Sequence, residues 1–179
     1  MGGLKENIGR RVLKKKKKGI ERDVCVHNFK TAKSAVILFD AGDQGSFSVI
    51  KEFRNFMESN DIECTAFGYV KEKEIPQEML FWENYSFITR RDLTWYMKPR
   101  GESAEKFYSL DPDILVDFTR DLPLELQFLV QLSTASFKIG CFTEMDNDYD
   151  LMINLPDHSD IGYLSEQIKH YVSILNPIN

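Results

Sequence analysis

Long apolar runs, paired cysteines and catalytic motifs are what this sequence of 179 residues lacks. No apolar run approaches the length of about 18 residues that a membrane-spanning helix needs, so we expect none. A lysine run occupies residues 14–18, where a signal peptide would need an apolar stretch, and this favours a cytoplasmic protein. The three cysteines (Cys25, Cys64 and Cys141) are far apart and flanked by apolar residues. An odd, scattered set argues against a disulfide framework and predicts reduced thiols in a core.

Motifs for catalysis and for metal binding are also missing. No HExxH, GxSxG, CxxC or P-loop pattern occurs, and the three histidines (His27, His158 and His170) are scattered along the chain. The composition, 42% apolar and 28% charged, fits one globular domain with a real core. The sequence therefore predicts a binding protein rather than an enzyme, with no catalytic residue, no metal site and no cofactor.

Charge is distributed unevenly along the chain. Residues 1–23 hold nine basic and three acidic side chains, a net charge of +6, whereas residues 24–179 carry −11. Within the basic segment, Leu4, Ile8 and Val12 recur every four residues, which predicts a short helix that ends near Gly19. We therefore divide the chain into a basic helical arm, residues 1–23, and a single α/β domain, residues 24–179.

The arm has three interpretations. It is a solvated helix that leans on the acidic body, or it docks onto RNA, a ribonucleoprotein or an acidic protein partner, or it binds a membrane surface. The membrane is disfavoured, because the apolar stripe lacks Trp and Phe. A second basic stretch interleaves cations with Trp95 and Tyr96, as surfaces for single-stranded nucleic acids do, unless the rings are half-buried at a sheet edge. The candidate polyanion-binding residues are Arg10, Arg11, Lys14, Lys15, Lys16, Lys17, Lys18, Arg90, Arg91, Lys98 and Arg100.

The body alternates short β-branched runs with helical periodicity. The pattern predicts strands at 34–40, 62–70, 85–89, 113–118, 137–142 and 151–155, and a further edge strand at 24–29. Helices are expected over a segment of about 14 residues that contains Phe47, Ile50 and Met57, with Ser46 as its N-cap, and at 102–110, 122–132 and about 160–175. This alternation predicts an α/β fold of three layers, Rossmann-like, with a mostly parallel sheet of five to six strands and the basic helical arm in front of it.

Two strand-to-helix turns carry polar residues. The first holds Asp40, Gly42, Gly45 and Ser46, and the second holds Asp117, Thr119 and Arg120. Ligands of such sheets bind beyond the carboxyl ends of the strands, so these seven residues are candidates for binding a small molecule or nucleotide, and for a hydrolase site. Ordinary turns with helix caps are the alternative. If the two strands are neighbours, we expect the carboxylates of Asp40 and Asp117 within about 10 Å of each other at one sheet edge.

The densest acidic segment is the acidic loop, residues 144–150. The spacing of Asp146, Asp148 and Asp150 matches the start of a calcium loop, but Leu151 and Asp157 stand where that loop needs glycine and glutamate. We therefore expect a solvated loop with no metal.

Two family resemblances accompany this pattern. A strand that ends in Asp40, a helix, then residues 113–119 (DILVDFT) and 137–140 (FKIG) resemble the N-terminal half of heptosyltransferase-type GT-B glycosyltransferases. Those enzymes bind the nucleotide sugar mainly through a second domain, so the resemblance implies the fold and not the transfer reaction. Over nearly its whole length the chain is also similar to a family of short uncharacterised Bacteroidetes proteins (DUF6913-like), which implies no catalytic residues.

Overall fold

The computed structural model describes residues 3–43, 45–156 and 159–177, and its centre is a six-stranded sheet. The strands are β1 (Ser34–Asp40), β2 (Glu63–Val70), β3 (Tyr85–Thr89), β4 (Ile114–Asp117), β5 (Phe137–Cys141) and β6 (Leu151–Ile153). The helices are α1 (Leu4–Lys17), α2 (Ser46–Ser59), α3 (Glu102–Ser109), α4 (Leu124–Leu132) and α5 (Ile161–Ile174). The predicted α/β architecture is therefore confirmed.

All five strand pairings in the sheet are parallel, and the spatial order is β3-β2-β1-β4-β5-β6. The chain builds outward from β1 to β3 and then returns to place β4 on the other side of β1. Between β1 and β4 the strand order therefore changes direction, which is where open α/β sheets bind ligands. Continuous apolar runs such as residues 35–39 of β1 form these strands because both faces of a parallel sheet are covered.

Helices cover both faces of the sheet. On one face α2 and α5 bury residues such as Phe53 and Ile168 against Ile37 and Val116 of the sheet. On the other face α3 and α4 bury residues such as Phe107 and Leu129 against Leu38 and Leu115. The three layers thus form two apolar cores, one on each side of the sheet.

Helix α4 is buried on all its sides. Each of its nine residues is buried, including Glu125 and Gln131. One stripe of α4, Leu126, Leu129 and Val130, packs on the sheet. The opposite stripe, Leu124, Phe128 and Leu132, faces away from the sheet and needs a second cover.

Helix α1 is that cover. Its Leu13 is 4% exposed and joins Leu124, Phe128 and Leu132 of α4 in a third apolar cluster. Gly9 permits the close approach, because a Cβ there would collide with the backbone oxygen of Tyr96 and lie 2.6 Å from a methyl carbon of Leu124. The basic arm is therefore packed as a fourth layer over α4.

Two local expectations were wrong. Residues 24–29 form no strand: Cys25 N–H donates to Ser136 O, and His27 lies 3.9 Å from Asp113, so the segment crosses the amino ends of β4 and β5 instead of following a sheet edge. Cys25 is consequently exposed, whereas Cys64 and Cys141 are buried as expected.

We expect Leu13→Ala to destabilise the whole protein by about 2–5 kcal/mol, because it opens a cavity between α1 and α4. Urea unfolding measures this free energy. The matched control is Leu4→Ala in the same helix, where the side chain is 76% exposed and the expected change is within about 0.5 kcal/mol. Equal effects of the two substitutions would show that α1 is not part of the folded unit.

Candidate functional site

A cleft of about 500 Å³ lies at the carboxyl ends of β1 and β4. The turn from β1 to α2 forms one wall, and the connection from β4 to α4 forms the other. Phe118, Leu126 and Ile161 supply apolar lining, and the end of β2 contributes Lys71 and Glu72. Of the predicted ligand residues, the structure brings Asp40, Gly42, Ser46, Thr119 and Arg120 into this one cleft.

Asp40 ends β1 and organises the first wall. Its Oδ1 accepts a hydrogen bond from Gly42 N–H at 3.0 Å, and its Oδ2 pairs with Lys71 Nζ at 2.6 Å. The hydrogen bond to Asp40 raises the pKa of the Lys71 ammonium. This pair leaves little positive charge on that side of the cleft.

The start of α2 differs from the expected cap. Gly45, and not Ser46, is the N-cap residue, and its φ of 82° is a conformation that glycine adopts without strain. In the part of the chain that the structure describes, no side chain caps this helix, and no acidic residue lies in its first turn. Gly45 lines an adjoining hollow of about 460 Å³, which shares Asp43 and Arg120 with the cleft.

Asp117, a candidate ligand residue from the sequence, lies under the second wall and does not line the cleft. The carboxyl groups of Asp40 and Asp117 belong to adjacent strands at the same sheet edge, but Asp117 is fully buried. Thr119 donates to Oδ1 through N–H and Oγ1 at 2.8 and 2.7 Å, and Tyr149 OH donates to Oδ2 at 2.6 Å. Burial raises the pKa of Asp117 to about 6, although these hydrogen bonds act in the opposite direction.

The acidic loop is exposed at Glu144, Met145 and Asp146, as expected of a solvated loop, but its second half is attached to the sheet. Tyr149 packs its ring on Gly140 of β5, where any Cβ would overlap the ring. Asp150 Oδ2 accepts from Lys138 N–H at 2.7 Å, and the buried Lys138 Nζ donates to Val130 O at 2.8 Å. Burial lowers the pKa of Lys138 to about 8, with Arg22 as the next cause. The loop thereby closes over β5.

The same loop holds the end of the arm. Lys17 Nζ pairs with Asp148 at 2.7 Å and lies 3.9 Å from Asp146. Arg22 pairs with Asp150 and also donates to Ser136 O at 3.0 Å. The carboxylates at alternate positions of this loop are therefore partners of the arm.

Four other arm cations face outward. Leu13 and Gly9 are buried on the inner side of α1, whereas Arg11, Lys14, Lys15 and Lys18 are exposed. None of these four makes an ion pair with a residue that the structure describes. Arg10 differs, because it pairs with Glu6 at 2.7 Å and donates to Gln127 at 3.3 Å.

The second basic stretch partly joins this surface. Its backbone turns back between Leu93 and Pro99, which places Tyr96 against α1 and leaves Trp95 61% exposed. Met97 also packs on the cluster between α1 and α4. Burial and then the positive charge of Lys16 lower the pKa of Lys98. We call Arg11, Lys14, Lys15, Lys16, Lys18, Trp95 and Lys98 the basic face. The other cations of the stretch, Arg90, Arg91 and Arg100, are exposed, and Arg91 pairs with Glu74 at 2.8 Å.

The fold and the cleft define a Rossmann-like α/β protein whose strand order reverses at β1. The chain belongs to the family of unknown function DUF6913, whose model matches residues 5–175, and the predicted membership of an uncharacterised family is confirmed. No curated protein and no solved structure matches the chain. The glycosyltransferase resemblance and the Bacteroidetes origin stay predictions.

The described ranges contain neither a membrane-spanning helix nor a metal-binding group of side chains. Among residues 3–43, 45–156 and 159–177, no helix combines the length and apolarity that a membrane span requires. Over the same ranges, no three His, Cys, Asp or Glu side chains form a group suited to a metal ion.

The raised pKa of Asp117 predicts how the free energy of unfolding changes with pH. A carboxyl that holds its proton more tightly in the folded state contributes most to stability below about pH 4, and this contribution is lost as the pH rises through about 6. The free energy of unfolding of the wild type, minus that of Asp117→Asn, should therefore fall between about pH 4 and pH 7. Urea unfolding across this range measures it.

Asp146→Asn is the control for that experiment, since it removes the same charge from a side chain that is 88% exposed. A wild-type-minus-Asp117→Asn difference that does not change with pH would contradict the burial of an ionisable carboxyl at this position.

Proposed function

We propose that the protein is a non-catalytic, cytoplasmic binding protein that docks onto single-stranded RNA, free or in a ribonucleoprotein, through its basic face. The observation that carries the proposal is the packing of α1: the helix is fixed on α4 with Arg11, Lys14, Lys15 and Lys18 turned outward. A preordered row of cations loses little conformational freedom when it binds, so its interaction with phosphates is favoured. Free thiols at all three cysteines fit a reducing compartment.

The division of charge within the arm supports an external partner. If the lysines served only to attach the arm to the acidic body, they would face that body. Of the arm, Lys17 and Arg22 reach the acidic loop, while the four outward cations have no partner among the described residues. A partner with regularly spaced negative charges would form ion pairs with these four cations.

The exposed ring of Trp95 favours a single strand over a duplex. It lies 61% exposed in the segment whose Tyr96 and Met97 pack against α1 and α4, and Lys98 follows in the same segment. Aromatic rings beside cations stack on unpaired bases, and each stacking contact contributes about 1–3 kcal/mol. Lysine ammonium groups contact phosphate without reading the bases, so the binding should be largely independent of sequence.

Replacement of Arg11, Lys14, Lys15 and Lys18 by Gln should weaken RNA binding. Each lost phosphate contact should also reduce the slope of log affinity against log salt concentration by about 0.7, the value for single strands. The measurement is fluorescence anisotropy with a labelled single-stranded RNA at several salt concentrations. Trp95→Ala should weaken binding of the single strand and leave binding of a duplex unchanged.

The matched control changes the same net charge elsewhere, by replacing the exposed residues Lys30, Lys33, Lys51 and Lys73 with Gln. This control should keep most of the affinity and the slope. Equal losses in the two quadruple variants would refute a localised site. Absence of RNA binding by the wild type would refute the RNA proposal, and capture of an acidic protein by the wild type alone would then identify the other class of partner.

A further inference from the structure

The N-terminus of α2 opens into the cleft without a cap. Its first-turn N–H groups have no acceptor among the described side chains, and the first of them, Ser46 N–H, donates to Asp43 O at 3.1 Å. Helix α5 starts at the same sheet edge, but there Asp160 accepts from Tyr163 N–H at 2.8 Å. An uncapped helix start with its partial positive charge favours an anion, whereas the capped start of α5 is already satisfied.

A buried hydroxyl provides a second, independent sign of a ligand. Ser46 lines the cleft and is 2% exposed, and its Oγ has no hydrogen-bond partner among the described residues. Ser48, two residues later, instead donates through Oγ to Gly45 O at 2.9 Å. Buried hydroxyls are rarely left without a partner, so the Ser46 hydroxyl points to a missing acceptor at the start of α2.

Arg120 supplies the cation for such an acceptor. Its exposed side chain lines both the cleft and the adjoining hollow, so it lies between them on the wall opposite α2. No ion pair involves Arg120 within the described part of the chain. Lys71 is already neutralised by Asp40 at 2.6 Å, so Arg120 is the cation available to a ligand.

The other polar groups restrict the ligand. Asp43, Glu72 and Asp121 line the same cleft, and their carboxylates accept hydrogen bonds from hydroxyl groups but repel additional negative charge. This disfavours a triphosphate or an RNA backbone and favours one phosphate attached to a hydroxyl-rich group. A volume of about 500 Å³ accommodates a molecule of that size.

We propose that the cleft binds a phosphate monoester of a sugar, either a free sugar phosphate or the ribose phosphate of a nucleoside monophosphate. The phosphate lies at the start of α2 and accepts from Ser46 Oγ and Arg120, and the sugar hydroxyls donate to Asp43 and Asp121. The site uses no residue of the basic face. It therefore goes beyond the RNA-binding function, and either proposal can be refuted without the other.

Calorimetric titration of the full chain tests the site with ribose 5-phosphate, adenosine 5′-monophosphate, ribose and inorganic phosphate. Both phosphate monoesters, or one of them, should bind more tightly than ribose and more tightly than inorganic phosphate. Arg120→Gln should weaken binding about tenfold or more, because it removes a charged donor, and Ser46→Ala should weaken it several-fold. Lys30→Gln is the matched control, because Lys30 is exposed and belongs neither to the cleft nor to the basic face, and it should leave the affinity unchanged.

The affinities distinguish a nucleotide from a free sugar phosphate, and they also show whether the cleft binds a phosphate ester at all. Binding of adenosine 5′-monophosphate alone assigns a nucleotide, and binding of both esters assigns the sugar phosphate as the shared element. Equal affinity for inorganic phosphate refutes the role of Asp43 and Asp121. No binding, or binding that Arg120→Gln and Ser46→Ala leave unchanged, refutes the site. Amide chemical shifts of Gly45, Ser46 and Phe47 in the wild type give a readout that needs no variant, and they should move on addition of the bound ester but not of ribose.

Discussion

The need of α4 for a cover on both sides determines how the rest of this protein is arranged. Leu126, Leu129 and Val130 pack on the sheet, so Leu124, Phe128 and Leu132 would meet water unless another element covered them. Helix α1 supplies that cover through Leu13, and the acidic loop holds the end of the arm through Lys17 and Arg22. The same contact that buries one side of α1 turns Arg11, Lys14, Lys15 and Lys18 of the basic face toward solvent, so stability and the proposed docking surface depend on one interaction.

The fold could be predicted from the sequence because its signals are local. Buried parallel strands appear as short β-branched runs such as residues 34–40, and the helices between them have regular apolar spacing. The segment at 24–29 has a similar local pattern, but its course depends on contacts with Ser136 and Asp113, which lie far away in sequence. Local pattern alone could not distinguish a crossing segment from an edge strand.

The candidate site was only partly accessible to sequence reasoning. The rule that parallel strands end at one edge placed Asp40, Gly42, Ser46, Thr119 and Arg120 together correctly. It could not show that Tyr149 closes over Asp117, since that contact requires the fold of the acidic loop on Gly140. The sequence of α4 also carries a signal for a second cover: six of residues 124–132 are apolar and lie on both sides of the helix, which predicts burial on both sides and hence a partner such as the arm.

Native-state hydrogen exchange on the full chain without RNA tests most directly whether α1 is an integral layer. Residue by residue, it reports the free energy needed to open each amide. If α1 is required to cover α4, the amides around Leu13 should open with nearly the same free energy as those of Phe128 and its neighbours, as one cooperative unit. Amides of α1 that exchange as fast as those of an unfolded peptide, while α4 stays protected, would contradict the account and make the arm an independent segment.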